Sequence, residues 1–243
     1  ADCVRYALIR GSISSLAGNH DPSLVARTVQ TGVWPAERAL SIARLIPDAK
    51  LRTTIYTLLL KTKALTSEQR LLAKREGLAA AQAVRDEWPR AEALAALAPQ
   101  LTGELLREGL AAAQAIDDEE SRALVLAALA PQLTGEAREA AMREGLAVQA
   151  IGDTLLRAEV LAALAPLLTG ETQESALREG LAAAQAIGNE GSRARVLATL
   201  APQLTGKAQE SALREGLAAA QAIDDVDDRV RALAALVPQL TGE

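Results

Sequence analysis

The chain has 243 residues, a net charge of −5 and 49% apolar residues, with aromatics held to 2% and no Phe. That acidic balance lacks the basic excess that neutralises phosphates, which argues against nucleic acid or an anionic membrane as a partner. A single cysteine, Cys3, excludes an intrachain disulfide; with no apolar run of about 18 residues and no basic-then-apolar leader, a cytoplasmic protein is expected.

In chain order, residues 3–16 and 22–30 each have the pattern of a helix, separated by the turn-forming stretch Gly18-Asn19-His20-Asp21-Pro22. Residues 1–30 are expected to cap the molecule or to be the remnant of another unit. Residues 31–66 hold a degenerate repeat, in which Leu40, Ile46, Asp48, Arg52 and Leu59 fit the template of the later, regular repeats. Its proline and loop leucine are missing, with Lys61 and Lys63 in their places, so the join between Leu60 and Leu71 is expected to run differently.

From residue 67 the chain repeats itself. The string Arg-Glu-Gly-Leu-Ala-Ala-Ala-Gln-Ala begins at Arg75, Arg107, Arg178 and Arg214, with a copy one residue shorter at Arg143, so successive copies start 32, 36, 35 and 36 residues apart. That spacing is the length of one helix-turn-helix unit. Five regular hairpins are predicted, at 67–103, 104–135, 136–170, 171–206 and 207–243. The predicted fold is all-α: an α-solenoid of tandem helix-turn-helix repeats, each touching only its neighbours through small Ala and Leu contacts. The chain starts at Ala1 and stops at Thr241-Gly242-Glu243, where earlier Thr-Gly pairs lead into another helix, and it reads as a piece of something longer.

Aligned copies show what each position does. Asp48, Asp86, Asp118, Asp153, Asn189 and Asp225 open the second helices, and all are residue types whose short acceptors satisfy first-turn N–H groups. Four residues later stand Arg52, Arg90, Arg122, Arg157, Arg193 and Arg229, a column expected to alternate acid and base along the array. An anion or metal site is the functional alternative for that column. Leu94, Leu126, Leu161, Leu197 and Leu233, with Leu97, Leu129, Leu164, Leu200 and Leu236 three residues on, form a buried stripe. Pro99, Pro131, Pro166, Pro202 and Pro238 are expected to end these helices, and Leu101, Leu133, Leu168, Leu204 and Leu240 to plug the loops into the core.

The first helices read as amphipathic, with Leu106, Leu110, Ala113 and Ile116 on one face of the third copy. Gly77, Gly109, Gly145, Gly180 and Gly216 sit inside them, each at a cost of about 1 kcal/mol in helix propensity relative to Ala. Close approach of a neighbouring helix accounts for them, and a glycine track lining a ligand groove is the alternative. Gln82, Gln114, Gln149, Gln185 and Gln221 line the same groove or form a polar edge.

Paired helices at this period, a glycine in the first and a proline closing the second, resemble tetratricopeptide-like repeats over residues 36–243. The large aromatic positions of that family are absent, and the proline falls at a different offset from the glycine. The Ala-Ile-(Asp/Gly)-(Asp/Asn) to Leu-Ala-Ala-Leu-Ala-Pro wording also resembles Ala/Leu-rich helical tracts in sensor regions of large bacterial signal-transduction NTPases. The resemblance implies a right-handed superhelix acting as a ligand-sensing or protein-docking arm. The chain has no Gly-x-x-x-x-Gly-Lys-Ser/Thr loop of its own.

His20 is the sole histidine, and neither it nor Cys3 has recurrent partners in a nucleophile, base and orienter arrangement, so no enzyme is expected. The acidic runs at 117–120 and 224–228 lack the oxygen spacing and central glycine of a calcium loop and read as helix starts. No metal or cofactor is expected. Repetition favours binding or building, because an active site needs particular residues once. Trp34 and Trp88 are candidate partner anchors, or staples at helix starts. The leading expectation is a non-enzymatic scaffold that docks a protein or peptide in its groove. A structural spacer that self-associates through its repeat ends is the second reading, and an RNA-binding repeat the third.

Overall fold

The computed structural model describes residues 21–147 and 153–240, the side chain of Leu240 excepted. Cys3, His20, Gln149 and the helix expected at 3–16 lie outside the described residues. Among the described residues the chain is all-α. Its contacts divide it into two compact units, Ala1–Leu133 and Thr134–Glu243. The first holds α1 (Pro22–Gln30), α2 (Ala36–Leu45), α3 (Ala49–Lys61), α4 (Ser67–Gln82), α5 (Glu87–Leu97), α6 (Glu104–Gln114) and α7 (Glu119–Leu129). The second holds α8 (Gly135–Ala147), α9 (Thr154–Leu164), α10 (Gly170–Gln185), α11 (Glu190–Leu200), α12 (Gly206–Gln221) and α13 (Val226–Leu240).

Within each unit, helix pairs pack on neighbouring pairs. In the first, α5 packs on both α3 and α7, and α4 lies against α3 and α5. In the second, α11 packs on both α9 and α13, while α10 lies against α9 and α11, and α12 against α11 and α13. The leucine stripe forms the contact: of its ten members all are buried except Leu233, which is half-buried. After α5, α7, α9 and α11 a short 3-10 turn carries Pro99, Pro131, Pro166 or Pro202, and the following Leu101, Leu133, Leu168 or Leu204 is buried. Gly103, Gly135, Gly170 and Gly206 then reverse the chain at φ of 57° to 59°, a region that only glycine enters freely. Pro238 departs from the expected stop, because α13 continues through it to Leu240.

The second-helix caps divide according to one backbone group. Asp48 accepts from Leu51 N–H at 2.6 Å, Asp118 from Ser121 at 2.8 Å, Asn189 from Ser192 at 2.8 Å and Asp225 from Asp228 at 2.9 Å. Asp153 accepts from Leu155 and Leu156 at 2.8 and 3.0 Å. Asp86 holds the same position but its side chain makes no capping bond. The residue three places on is Pro89, which has no N–H to give.

The arginine column makes main-chain hydrogen bonds. Arg52, Arg122, Arg193 and Arg229 each turn a guanidinium Nη1 back to the main-chain carbonyl six residues earlier, Ile46 at 3.1 Å, Ile116 at 2.8 Å, Ile187 at 2.8 Å and Ile223 at 2.7 Å. Arg90 reaches Val84 at a longer 3.5 Å. Each of these carbonyls lies just past the end of a first helix, where helical N–H donors have run out. These five arginines therefore close the turns inside their hairpins.

The mid-helix glycines face the packed side. A Cβ on Gly77 would stand 3.1 Å from Tyr56 Cβ, and on Gly180 and Gly216 it would stand 3.3 Å from Leu161 Cβ and Leu197 Cβ. Close approach accounts for them and the glycine track along a ligand groove does not. In α6 the buried line runs through Leu105, Gly109 and Ala113 to Ile116, with Leu106 and Leu110 half-buried beside it. That corrects the expected face by one position, because the glycine points to the core.

The degenerate repeat keeps more of the template than its sequence suggests. Leu65 is buried in the loop after α3 and takes the place of the missing loop leucine. Thr66 and Gln69 form a reciprocal capping box at the start of α4, and Arg70 donates to the carbonyls of Leu60 and Thr62 at 2.6 and 2.9 Å.

Candidate docking surface

The glutamine column ends the first helices, and Gln82, Gln114, Gln185 and Gln221 are exposed. Their surroundings differ between the two units. In the first, Gln82, Arg75 and Leu71 on α4 face Glu104, Leu105 and Glu108 on α6 across an open cleft of about 510 Å³. Leu71 is 47% exposed there, while Leu105 is buried as part of the floor. In the second unit Gln185 is already engaged, donating to Glu215 on α12 at 2.9 Å. The same letter of the repeat is thus a groove residue in one place and an inter-helix tie in another.

The two tryptophans sit on separate elements. Trp34 is half-buried in the turn before α2, with the Arg38 guanidinium 4.4 Å above its ring. Trp88 lies in the first turn of α5 and is 37% exposed. Neither lines the cleft that holds Gln82. The cleft residues missed by sequence reasoning are Leu71, Arg75, Glu104 and Glu108. Arg75 and Glu108 belong to the repeated string, so only the spacing of α4 and α6 distinguishes them from their copies.

Several charged groups elsewhere tie helices together. Tyr56 is buried and its hydroxyl donates to Glu76 Oε2 at 2.6 Å, while Arg44 pairs with Oε1 of the same carboxylate at 2.8 Å. Burial, and then the hydrogen bond to Glu76, raise the phenol well above its ordinary range, so it stays protonated and serves as a donor. Burial and the neighbouring Arg70 lower Lys74 on the same helix. Ser175 and Ser211 donate to Glu179 and Glu215 at 2.9 and 2.7 Å, four residues along their own helices. Their recurrence at one repeat position marks local ties along the helix.

A second open cleft, about 620 Å³, lies in the second unit between the start of α11 and α13, lined by Asn189, Ser192, Arg195, Asp228 and Arg231. Arg195 pairs with Glu159 on α9, and Arg231 with Asp228 at 3.1 Å. This cleft also has apolar lining from Ile223, Ala232 and Ala235 and the carboxylates of Glu190 and Asp224 beside those pairs, whereas the α4–α6 cleft sets Leu71 and Leu105 beside one amide, one guanidinium and two carboxylates. Compared with known proteins, the chain matches no family model, no curated protein and no solved structure.

Proposed function

We propose that the chain is a non-enzymatic helical-repeat scaffold, a right-handed tetratricopeptide-like solenoid serving as the peptide-docking or sensing arm of a larger protein. The observation that carries this reading is the α4–α6 cleft. Leu71 and Leu105 offer apolar contact, Gln82 offers an amide that can both donate and accept to an extended backbone, and Arg75 faces Glu104 and Glu108. Two carboxylates against one guanidinium favour a peptide with a basic side chain.

Selection of a random peptide library on the whole chain tests it. The expected result is an enriched pattern containing Lys or Arg, lost when Gln82→Ala is combined with Glu108→Arg. Absence of enrichment, or enrichment indifferent to both substitutions, counts against the cleft. A structural spacer that self-associates is the second reading, supported by Val226 and Val230, both 59% exposed on α13. Leu236 on the same helix is fully buried in one cluster with Ala194, Ala198, Ala219 and Ala220, and so adds nothing to that exposed face.

A further inference from the structure

The cleft between α11 and α13 opens where glycine replaces one large side chain of the repeat. In the preceding repeat Leu155, the second residue of α9, packs against the core cluster that holds Ile187, which is 3% exposed. Thirty-six residues on, Gly191 takes the place of Leu155 and Ile223 that of Ile187. A Cβ on Gly191 would stand 3.9 Å from Ile223 Cδ1, so this position faces that isoleucine, and no side chain covers it from there. Ile223 is only half-buried and lines the cleft of about 620 Å³ with Ala222, Ala232 and Ala235. The leucine that packs on the earlier cluster belongs to the repeat before Ile187, so the opening over Ile223 follows from Gly191 and not from what lies after α13.

The polar rim carries both signs of charge, and they are set apart along the helices. Glu190 and Asp224 adjoin Gly191 and Ile223 in sequence, at the starts of α11 and α13. Arg195 stands four residues after Gly191, one turn along the same face of α11, and Arg231 holds the same register on α13. Both guanidinium groups are exposed, and their ion pairs with Glu159 and Asp228 are open to water. Exposed pairs contribute little to stability, so an incoming carboxylate can displace either one cheaply. Apolar floor, carboxylates and guanidinium groups thus converge on one cleft, a combination that orients a small ligand.

We propose that this cleft binds a free branched aliphatic α-amino acid of leucine size. Its side chain enters the space beside Gly191 and covers Ile223, as Leu155 packs on the cluster of the preceding repeat. Its carboxylate is taken by Arg231 and Arg195, in the planar pairing that guanidinium favours, and its ammonium by Asp224 and Glu190. An aliphatic amine would leave the guanidinium groups unused, and an aliphatic acid would leave those carboxylates without a cation, so the zwitterion is the form that the rim selects. The proposal is independent of the α4–α6 cleft.

Isothermal titration calorimetry of the full chain with leucine is expected to show saturable binding. Isoamylamine and isocaproate, which each keep the aliphatic group and one of the two charges, are expected to bind roughly tenfold more weakly or worse. Gly191→Leu restores the side chain of the preceding repeat at a helical position with room for it, so that variant is expected to melt no lower than the parent protein and to lose leucine binding. Arg231→Gln is expected to weaken leucine roughly tenfold and to leave isoamylamine unchanged. No saturable binding up to about 10 mM leucine, equal affinity for leucine and isoamylamine, or binding that survives Gly191→Leu overturns the proposal. Tighter binding of a short peptide with leucine at its amino terminus assigns the cleft to a chain end and also overturns it.

Discussion

Asp86 and Asp118 occupy one position of the repeat and differ in the residue three places on. Asp118 meets an N–H at Ser121, whereas Asp86 meets the ring of Pro89. Hydrogen bonding by Ser121 holds the Asp118 carboxyl below its ordinary value of 3.8. A carboxyl lowered by folding stabilises the protein above its unfolded value and loses that contribution as pH falls through the folded one. Asp118→Ala is therefore expected to cost about 1 kcal/mol near neutrality, with the gap from the parent protein closing below about pH 4. Urea denaturation at a series of pH values measures it, and a gap that stays constant into acid would show that the carboxylate charge has no part in the cap.

At the scale of elements, the joint between repeats depends on a backbone exchange. Proline ends the α-helical part of a second helix and leaves one carbonyl without its donor, and a glutamine of the next repeat supplies one. Gln203→Leu is expected to cost about 1 kcal/mol. Pro166→Ala restores an N–H that can reach the Ala162 carbonyl, so in that background the loss at Gln203 is expected to shrink by half or more. Additive effects in this double-mutant cycle would show that the glutamine acts through packing alone.

The hairpins themselves were legible because helix period, cap, proline and glycine recur in register. The carbonyl contacts of the arginine column were not, since the Asp-x-x-x-Arg spacing says nothing of the turn that places the Ile116 or Ile187 carbonyl within reach. The cleft was legible only in part. Gln82 and Gln185 are the same letter, and the difference between them is that one faces open space beside α6 while the other meets Glu215.

For the whole molecule, the division at Leu133 and Thr134 has an energetic counterpart. Contacts between successive hairpins stabilise each unit from within, so damage in one unit is felt there first. Leu59 and Leu200 are fully buried, one in each unit. Truncating either to Ala is expected to cost about 2–5 kcal/mol. Hydrogen exchange is expected to lose protection chiefly in α1–α7 for Leu59→Ala and in α8–α13 for Leu200→Ala, with the denaturation curve of each variant broadening into two steps. Equal loss across all helices in both variants would show one cooperative block.

The glutamine that completes the carbonyl before Pro166 lies 41 residues downstream of the alanine it serves. During synthesis that alanine leaves the ribosome well before its donor, so this joint, like that of Ala198 and Gln239, spends an interval with one main-chain carbonyl waiting for its side-chain donor. A chain whose elongation stalls between those two residues carries the Ala162 carbonyl without its side-chain donor.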